Sequence, residues 1–417
     1  AAGAGVSRRP PARVVPLPGG AVALLPPGPA AATMAAAWGV TVGARDEPEA
    51  HAGVAHLLEH LAFKGDASLD AAGLARAFGA IGADANAYTG EDRTVYHATV
   101  LAEHAGALER TLPRLLRPAL RPEDVRLERE VVLEEIAADA DDPDARVADL
   151  AAAHAHPGHP AGRPILGRAE TVAALDAEAL AAWRDAAHRP GRLVVSLAGK
   201  LDPEAALERT REVVDAWPRT AAPAIAPRTP PPWRGGLTRV ADPHVHRVHG
   251  VVSAHGVAAS DDDRYAAALL ARVLGEPGLG ALHWALVEAG LAESAGLTHE
   301  AAVDHGRFVG WYETDPDRAD RVADVLDAVV RDATPDAIDE DAWSRARTAW
   351  AADVALDAET PEGAMLASLD AWIERGETFD LEAEVARILA TPVQAGRALL
   401  ERAPFAIWCA TILEPAG

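Results

Sequence analysis

The stretch Glu49-Ala-His51-Ala-Gly-Val-Ala-His56-Leu-Leu-Glu59-His60-Leu-Ala-Phe-Lys64-Gly65 holds the residues best placed for metal-assisted chemistry. Pro48 suits a first helical turn and Gly65 a helix stop. Leu57, Leu58, Leu61 and Ala62 supply apolar faces, so a helix is expected over 48–64. Residues three and four apart share a helix face, which lets His56 and His60 bind one Zn²⁺ at Zn–N distances of about 2.0–2.1 Å. Glu59 projects to the edge of the same site, suited to taking a proton from an attacking water rather than to holding metal. An H-x-x-E-H string is short enough to arise by chance, so the reading needs a third ligand.

Downstream, Leu127-Glu128-Arg-Glu130-Val-Val-Leu-Glu134-Glu135-Ile136 is a second helix pattern in which Glu128 and Glu135 fall on one face. A carboxylate from it would complete three protein ligands and leave the fourth position open, as catalytic zinc requires. A rival cluster, His154, His156 and His159, lies in a proline-broken segment with no helix to fix its geometry and no nearby carboxylate base. His51 is off the face of His56 and reads as a surface residue. Trp183, Trp284 and Trp350 are scattered singly and read as packing residues.

The elements that must carry these groups fall into two similar sets. In the first, strands over Ala21–Leu25 and Thr33–Val42 precede helices near 48–64 and 70–81. Strands over Ala83–Thr89 and Thr94–Leu101 follow, then a helical stretch to Ala187, a strand over Leu193–Ala198 and a helix over Pro203–Trp217. In the second, strands near Leu237–Val240 and Arg247–Ser253 precede helices near 262–274 and 281–289. Strands over 291–299 and 306–313 follow, then helices from Pro316 to about Arg402 and a strand over Phe405–Leu413. The same order twice implies tandem duplication. The expected fold is α+β, two homologous domains each with a largely antiparallel sheet packed by helices. The expected division is 1–216 for the metal-bearing domain, a proline-rich linker at 217–236, and 237–417 for a second domain without metal.

The motifs resemble the pitrilysin family of inverzincins, which includes mitochondrial processing peptidase and bacterial two-domain relatives. In that family the third ligand ends an E-R-x-V-x-x-x-E run. Glu128-Arg-Glu-Val-Val-Leu-Glu-Glu135 matches it, with 74 residues between His60 and Glu135. The resemblance therefore implies His56, His60 and Glu135 as zinc ligands, Glu59 as general base and Glu128 as an acid orienting the site. It implies a metallohydrolase fold like that of LuxS and the processing peptidase, and a zinc metalloendopeptidase acting on extended peptides in an enclosed cavity. Gly82-Ala-Asp-Ala-Asn86-Ala87-Tyr88-Thr89, with Thr94-Val-Tyr96, resembles the strand pair that binds substrate backbone, which implies Asn86, Ala87 and Tyr88 as substrate-binding residues. His159–Gly167 and Leu193–Gly199 resemble further family segments. The family's second half carries an arginine and a tyrosine in a stretch like L-R-e-x-x-G-L-a-Y-s. Here Leu286-Val287-Glu288-Ala289-Gly290-Leu291-Ala292-Glu293-Ser294 has valine and glutamate at those places. The departure implies either the zinc subunit of a heterodimer, whose homologous partner lacks the zinc motif and brings the Arg/Tyr pair, or a homodimer or degenerate member working poorly or on unusual peptides. The alternative is a non-catalytic peptide-clamping or scaffold subunit.

Composition bounds the rest. A net charge of −24 over 417 residues excludes nucleic acid as an expected partner and is compatible with cationic peptides. Cys409 is the single cysteine, so no disulfide forms within the chain and no thiolate metal site can be built. Arg8, Arg9 and Arg13 are followed by no apolar leader core. Pro26, Pro27 and Pro29 break the apolar run from Val22 to Val42, so no membrane span is expected and a cytoplasmic protein is.

Overall fold

The structure, a computed structural model, describes residues 12–27, 31–218 and 224–416. Arg8, Arg9, Pro29 and part of the proline-rich linker lie outside them. The strands are β1 (Arg13–Pro16), β2 (Val22–Leu25), β3 (Thr33–Val40), β4 (Asp84–Thr89), β5 (Thr94–Leu101) and β6 (Leu193–Gly199), then β7 (Gly236–Asp242), β8 (Val248–Gly256), β9 (Ser294–Ala301), β10 (Gly306–Thr314) and β11 (Cys409–Pro415). The helices of the first half are α1 (Val54–Ala62), α2 (Ala71–Gly79), α3 (Ala105–Thr111), α4 (Pro122–Asp141), α5 (Pro143–Ala155), α6 (Ala169–Ala174), α7 (Ala177–Ala187) and α8 (Pro203–Asp215). Those of the second half are α9 (Arg264–Gly275), α10 (Ala319–Leu326), α11 (Glu340–Asp357), α12 (Pro361–Arg375), α13 (Leu381–Ala390) and α14 (Val393–Glu401).

Two compact units result. The first comprises 1–133, 165–227 and 352–386; the second comprises 134–164, 228–351 and 387–417. The first sheet runs β1-β2-β6-β3-β5-β4 and the second β7-β11-β8-β10-β9. Each is antiparallel except for one parallel pair, β2 with β6 and β7 with β11. Leaving out β1, the two orders correspond strand for strand, the structural form of the expected duplication. β4 pairs with β5 alone and is an edge strand, with Ala87 opposite Tyr96 and Thr89 opposite Thr94.

Each sheet has a core on both faces. In the first unit, α12 lies on β6 and β3. It buries Ala364, Met365 and Leu369 against Leu24, Ala35, Ala37, Val95 and Val194, and Ser196 Oγ donates to Met365 O at 2.9 Å. On the opposite face Trp38 stacks on Trp217, ring centroids 6.3 Å apart. In the second unit, Val147 and Ala151 of α5 pack on Val251 and Leu413. The other face is covered by α9, α10 and α14 around Phe308, Leu270 and Leu399.

The units are thus not the contiguous stretches that the linker delimits. α5 belongs to the first half of the sequence and covers the second sheet, while α12 belongs to the second half and covers the first. Apolar periodicity marks a helix face as buried without naming the sheet that buries it. β1 was not expected, and the helical stretches to Ala187 and Arg402 are broken into shorter pieces. The segment expected as a helix over 48–64 is a turn of 3₁₀ helix at Glu49–His51 followed by α1. Among the described residues no helix is long and apolar enough to cross a membrane.

Leu369 is fully buried under the first sheet. Leu369→Ala should therefore lower the stability of the first unit by about 2–5 kcal/mol. The check is urea unfolding followed by amide exchange in β3 and β6; unchanged protection there would mean that α12 contributes nothing to that core.

Candidate metal centre

α1 is short, and its position depends on anchors outside it. Val54, Ala55, Leu57, Leu58, Leu61 and Ala62 are buried, while His56, Glu59 and His60 emerge on the remaining face. Each buried leucine contributes about 1.5–3 kcal/mol. The residue before the helix, Gly53, has φ +94° and no side chain to cap it. Its place is taken by Glu47, whose two oxygens accept from Gly53 N and Ala55 N, each at 2.8 Å. A carboxylate there also complements the positive end of the helix dipole. A Cβ on Gly53 would lie 2.5 Å from Leu166 O, so glycine is required where the 166–167 loop crosses the helix start.

The His56 and His60 rings lie 4.7 Å apart, inclined at 64°. Burial, and then the charge of His60, hold the His56 imidazole down to about 4, so at neutral pH it is uncharged. His60 Nδ1 lies 3.2 Å from Glu128 Oε2, a partner that favours the ring's N–H on Nδ1. Glu128 is buried, and its other oxygen is 2.6 Å from Lys64 Nζ. Glu135 follows Glu128 by two turns of α4. The division between compact units falls at 133/134, inside this continuous helix. Ligand-capable atoms of His56, His60 and Glu135 all lie within 4.8 Å of one another. Two imidazoles and one carboxylate are a donor set that suits zinc. Among the described residues no other trio of His, Cys, Asp or Glu is gathered in this way.

Glu59 sits beside this trio, and Thr89 Oγ1 donates to its Oε2 at 2.8 Å. Tyr96 is fully buried below; burial, and then the charge of Glu59, raise its phenol so that it stays protonated. Asn86, Ala87 and Tyr88 lie on the edge strand β4. Asn86 Oδ1 accepts from Ala87 N at 2.9 Å, so that N–H points to the open edge and not into the ladder with β5. The Tyr88 side chain packs toward α12. Any contact of Tyr88 with an added strand would be through its main chain.

Each of the rival histidines meets a residue distant in the sequence through one ring nitrogen. His154 Nδ1 meets Thr411 Oγ1 at 3.1 Å, His156 Nδ1 meets Pro232 O at 2.8 Å and His159 Nε2 meets Thr229 Oγ1 at 3.2 Å. In the second unit, Val287 ends a π-helical turn. The Glu293 carboxylate is largely exposed and lies 3.6 Å from Arg247, which also reaches Glu313 and Asp315. Sequence reasoning missed Glu47, Lys64 and Thr89. Of these, Lys64 alone left a signal, four residues after His60 on the histidine stripe.

Comparison with known proteins bears on the family and the fold. The family model described as Insulinase (Peptidase family M16) matches residues 23–169, and that described as Peptidase M16 inactive domain matches 174–349. An uncharacterised zinc protease of Mycobacterium leprae is 37% identical over 197 residues, 47% of this chain and 44% of that protein. One of Streptomyces coelicolor is 33% identical over 240 residues, 56% of this chain and 52% of that one. The matches thus span about half the length of these relatives. A protease from Helicobacter pylori shares the fold, with a TM-score of 0.90 and 19% identity over 97% of this chain and all of that one. An M16-like peptidase from Alicyclobacillus acidocaldarius does so at a TM-score of 0.82 and 23% identity, over 97% of this chain and 98% of that one. With both halves matched in order by its two domain models, the chain belongs to peptidase family M16.

Proposed function

We propose that this protein is a zinc metalloendopeptidase that hydrolyses extended peptides. The observation that carries the reading is the convergence of His56, His60 and Glu135 within 4.8 Å, with Glu59 beside them. Zinc held by those three supplies Lewis acidity to a scissile carbonyl and acidifies a water molecule. Glu59 takes the proton of the attacking water and returns one to the leaving amine. Thr89 occupies one Glu59 oxygen, which orients the other for that transfer. Glu128 fixes the tautomer of His60. Peptide adds to the open edge of β4 by main-chain hydrogen bonds, displacing Asn86 Oδ1 from the Ala87 N–H. Such recognition reads extension more than sequence.

The chain is read as the zinc subunit of a heterodimer that encloses its substrate. Val287 and Glu293 stand where an arginine and a tyrosine would serve the developing oxyanion, and a glutamate there would oppose it. A homologous subunit with Arg and Tyr at those places removes the conflict. The match of 174–349 to an inactive-domain model is compatible with a clamping or scaffold role. His56, Glu59, His60 and Glu135, carried by α1 and α4, support catalysis instead, since a scaffold has no use for all four.

Purified protein should carry one zinc per chain, and His60→Ala with Glu135→Ala should carry none. Metal retained by that double variant would remove the ligand assignment. Glu59→Gln should keep the zinc and lose about a hundredfold or more in kcat; near-normal cleavage would exclude Glu59 as the base. The chain alone should cleave peptides poorly, and a homologous subunit lacking H-x-x-E-H should restore activity. Full activity of the isolated chain, unchanged by that subunit, would overturn the heterodimer.

A further inference from the structure

The hairpin that joins β4 to β5 is held on three sides, and one of its anchors has no part in the chemistry proposed for the metal centre. On one face Thr89 bonds Glu59 at 2.8 Å. A second side docks on the segment leading to α1. There Ala44 N donates to Gly90 O at 2.9 Å and Arg45 N to Glu91 O at 3.1 Å. Arg45 Nη1 pairs with Asp92 Oδ1 at 3.1 Å, both side chains nearly fully buried. A Cβ on Gly43 would fall 2.2 Å from Gly90 O, so this approach requires glycine.

The third side is the face toward α12. Arg93 closes the hairpin there, its carbonyl accepting from Gly90 N at 2.8 Å, and its charge acts on the Tyr88 phenol. Its Nη1 reaches Asp370 Oδ1 at 3.2 Å and Glu374 Oε1 at 3.0 Å. Arg375 lies 3.0 Å from the other oxygen of Glu374. Two carboxylates therefore share one guanidinium on a partly buried face. Burial pushes the Asp370 carboxyl up to about 6; Arg93 is the main opposing pull, Glu374 adds to the rise and Arg375 reduces it. Removing Arg93 would take away the cation that Asp370 and Glu374 share beside Tyr88, and the hairpin would lose its hold on α12.

Tyr88 and Thr89 are neighbours pointing to opposite faces, so what fixes one fixes the other. An edge strand has a ladder on one side only, and its end is free to shift laterally unless its side chains are pinned. We propose that Arg93, gripped by Asp370 and Glu374, is a positioning residue for peptide hydrolysis: through the hairpin it holds Thr89 where Thr89 fixes the Glu59 carboxylate. The inference rests on Glu59 being the general base. It gives α12, encoded in the second half of the chain, a part in the geometry of α1. A misplacement of about 1 Å at such a group costs up to about a hundredfold in rate.

The test is a double-mutant cycle on zinc-loaded protein, in the assembly in which the wild type cleaves peptides. Arg93→Gln should lower kcat by about ten- to hundredfold with KM changed less than about threefold. Bound zinc should be unchanged, and amide exchange at residues 88–92 should quicken. Combined with Thr89→Val, it should be no slower than Thr89→Val alone, because both act on Glu59 by one route. Multiplicative losses, an effect on KM alone or an unchanged kcat would overturn the proposal. Should Arg93→Gln fail to fold, Asp370→Asn with Glu374→Gln releases the same grip and is expected to behave alike; wild-type kcat there also overturns it. Activity in Glu59→Gln would remove the base reading itself. An inactive Glu59→Gln beside a normal Arg93→Gln would remove only the role of Arg93.

Discussion

Two imidazoles can serve one metal only if the helix carrying them is fixed, and α1 is too short to fix itself. A helix of nine residues is marginal in water. What holds it is the burial of its leucine face together with the Glu47 carboxylate closing its start. The carboxylate belongs to a buried segment that also bonds the β4–β5 hairpin through Ala44 and Arg45. Helix, cap and edge strand are therefore one hydrogen-bonded body. The positions of His56, Glu59, His60 and Thr89 follow from it.

The exchange of helices gives this body a long-range dependence. The sheet that carries β4 is covered on one face by α12, so the first unit is incomplete until residues 361–375 have been made and docked. The second sheet has the same relation to α5. Contacts so distant in sequence incur loop-closure entropy before they contribute stability, which slows folding. They also bind the duplicated halves into one folding problem. A chain cut at the linker would leave Leu24, Ala35 and Val95 uncovered.

What the sequence disclosed was local. His56, Glu59 and His60 lie within two turns, and helical periodicity alone puts them together; Glu128 and Glu135 share a face for the same reason. Strand alternation over 83–101 marked the hairpin, and the repeated order of elements marked the duplication. The missing parts are contacts between residues far apart in the chain. Glu47 reads as one acid among many until Gly53 is seen to lack a cap. Thr89 reads as a strand residue until its hydroxyl meets Glu59. α12 has an apolar face that fits either sheet, and only packing selects one.

Charge gives the site its last constraint. The chain has 39 basic residues, all arginine except Lys64 and Lys200. Lys64 continues the stripe of His56 and His60 at the same four-residue spacing and meets one oxygen of Glu128, while His60 meets the other. A buried carboxylate with no counter-charge would cost several kcal/mol, so Glu128 needs a cation. An arginine would not be equivalent, because its planar fork favours both oxygens of one carboxylate. It would compete with His60 for Oε2 and release the ring that Glu128 holds. A compact ammonium takes one oxygen and leaves the other to orient the imidazole. The choice of lysine at this position in an arginine-dominated chain thus follows from the division of a single carboxylate between neutralising its charge and aiming the His60 ring.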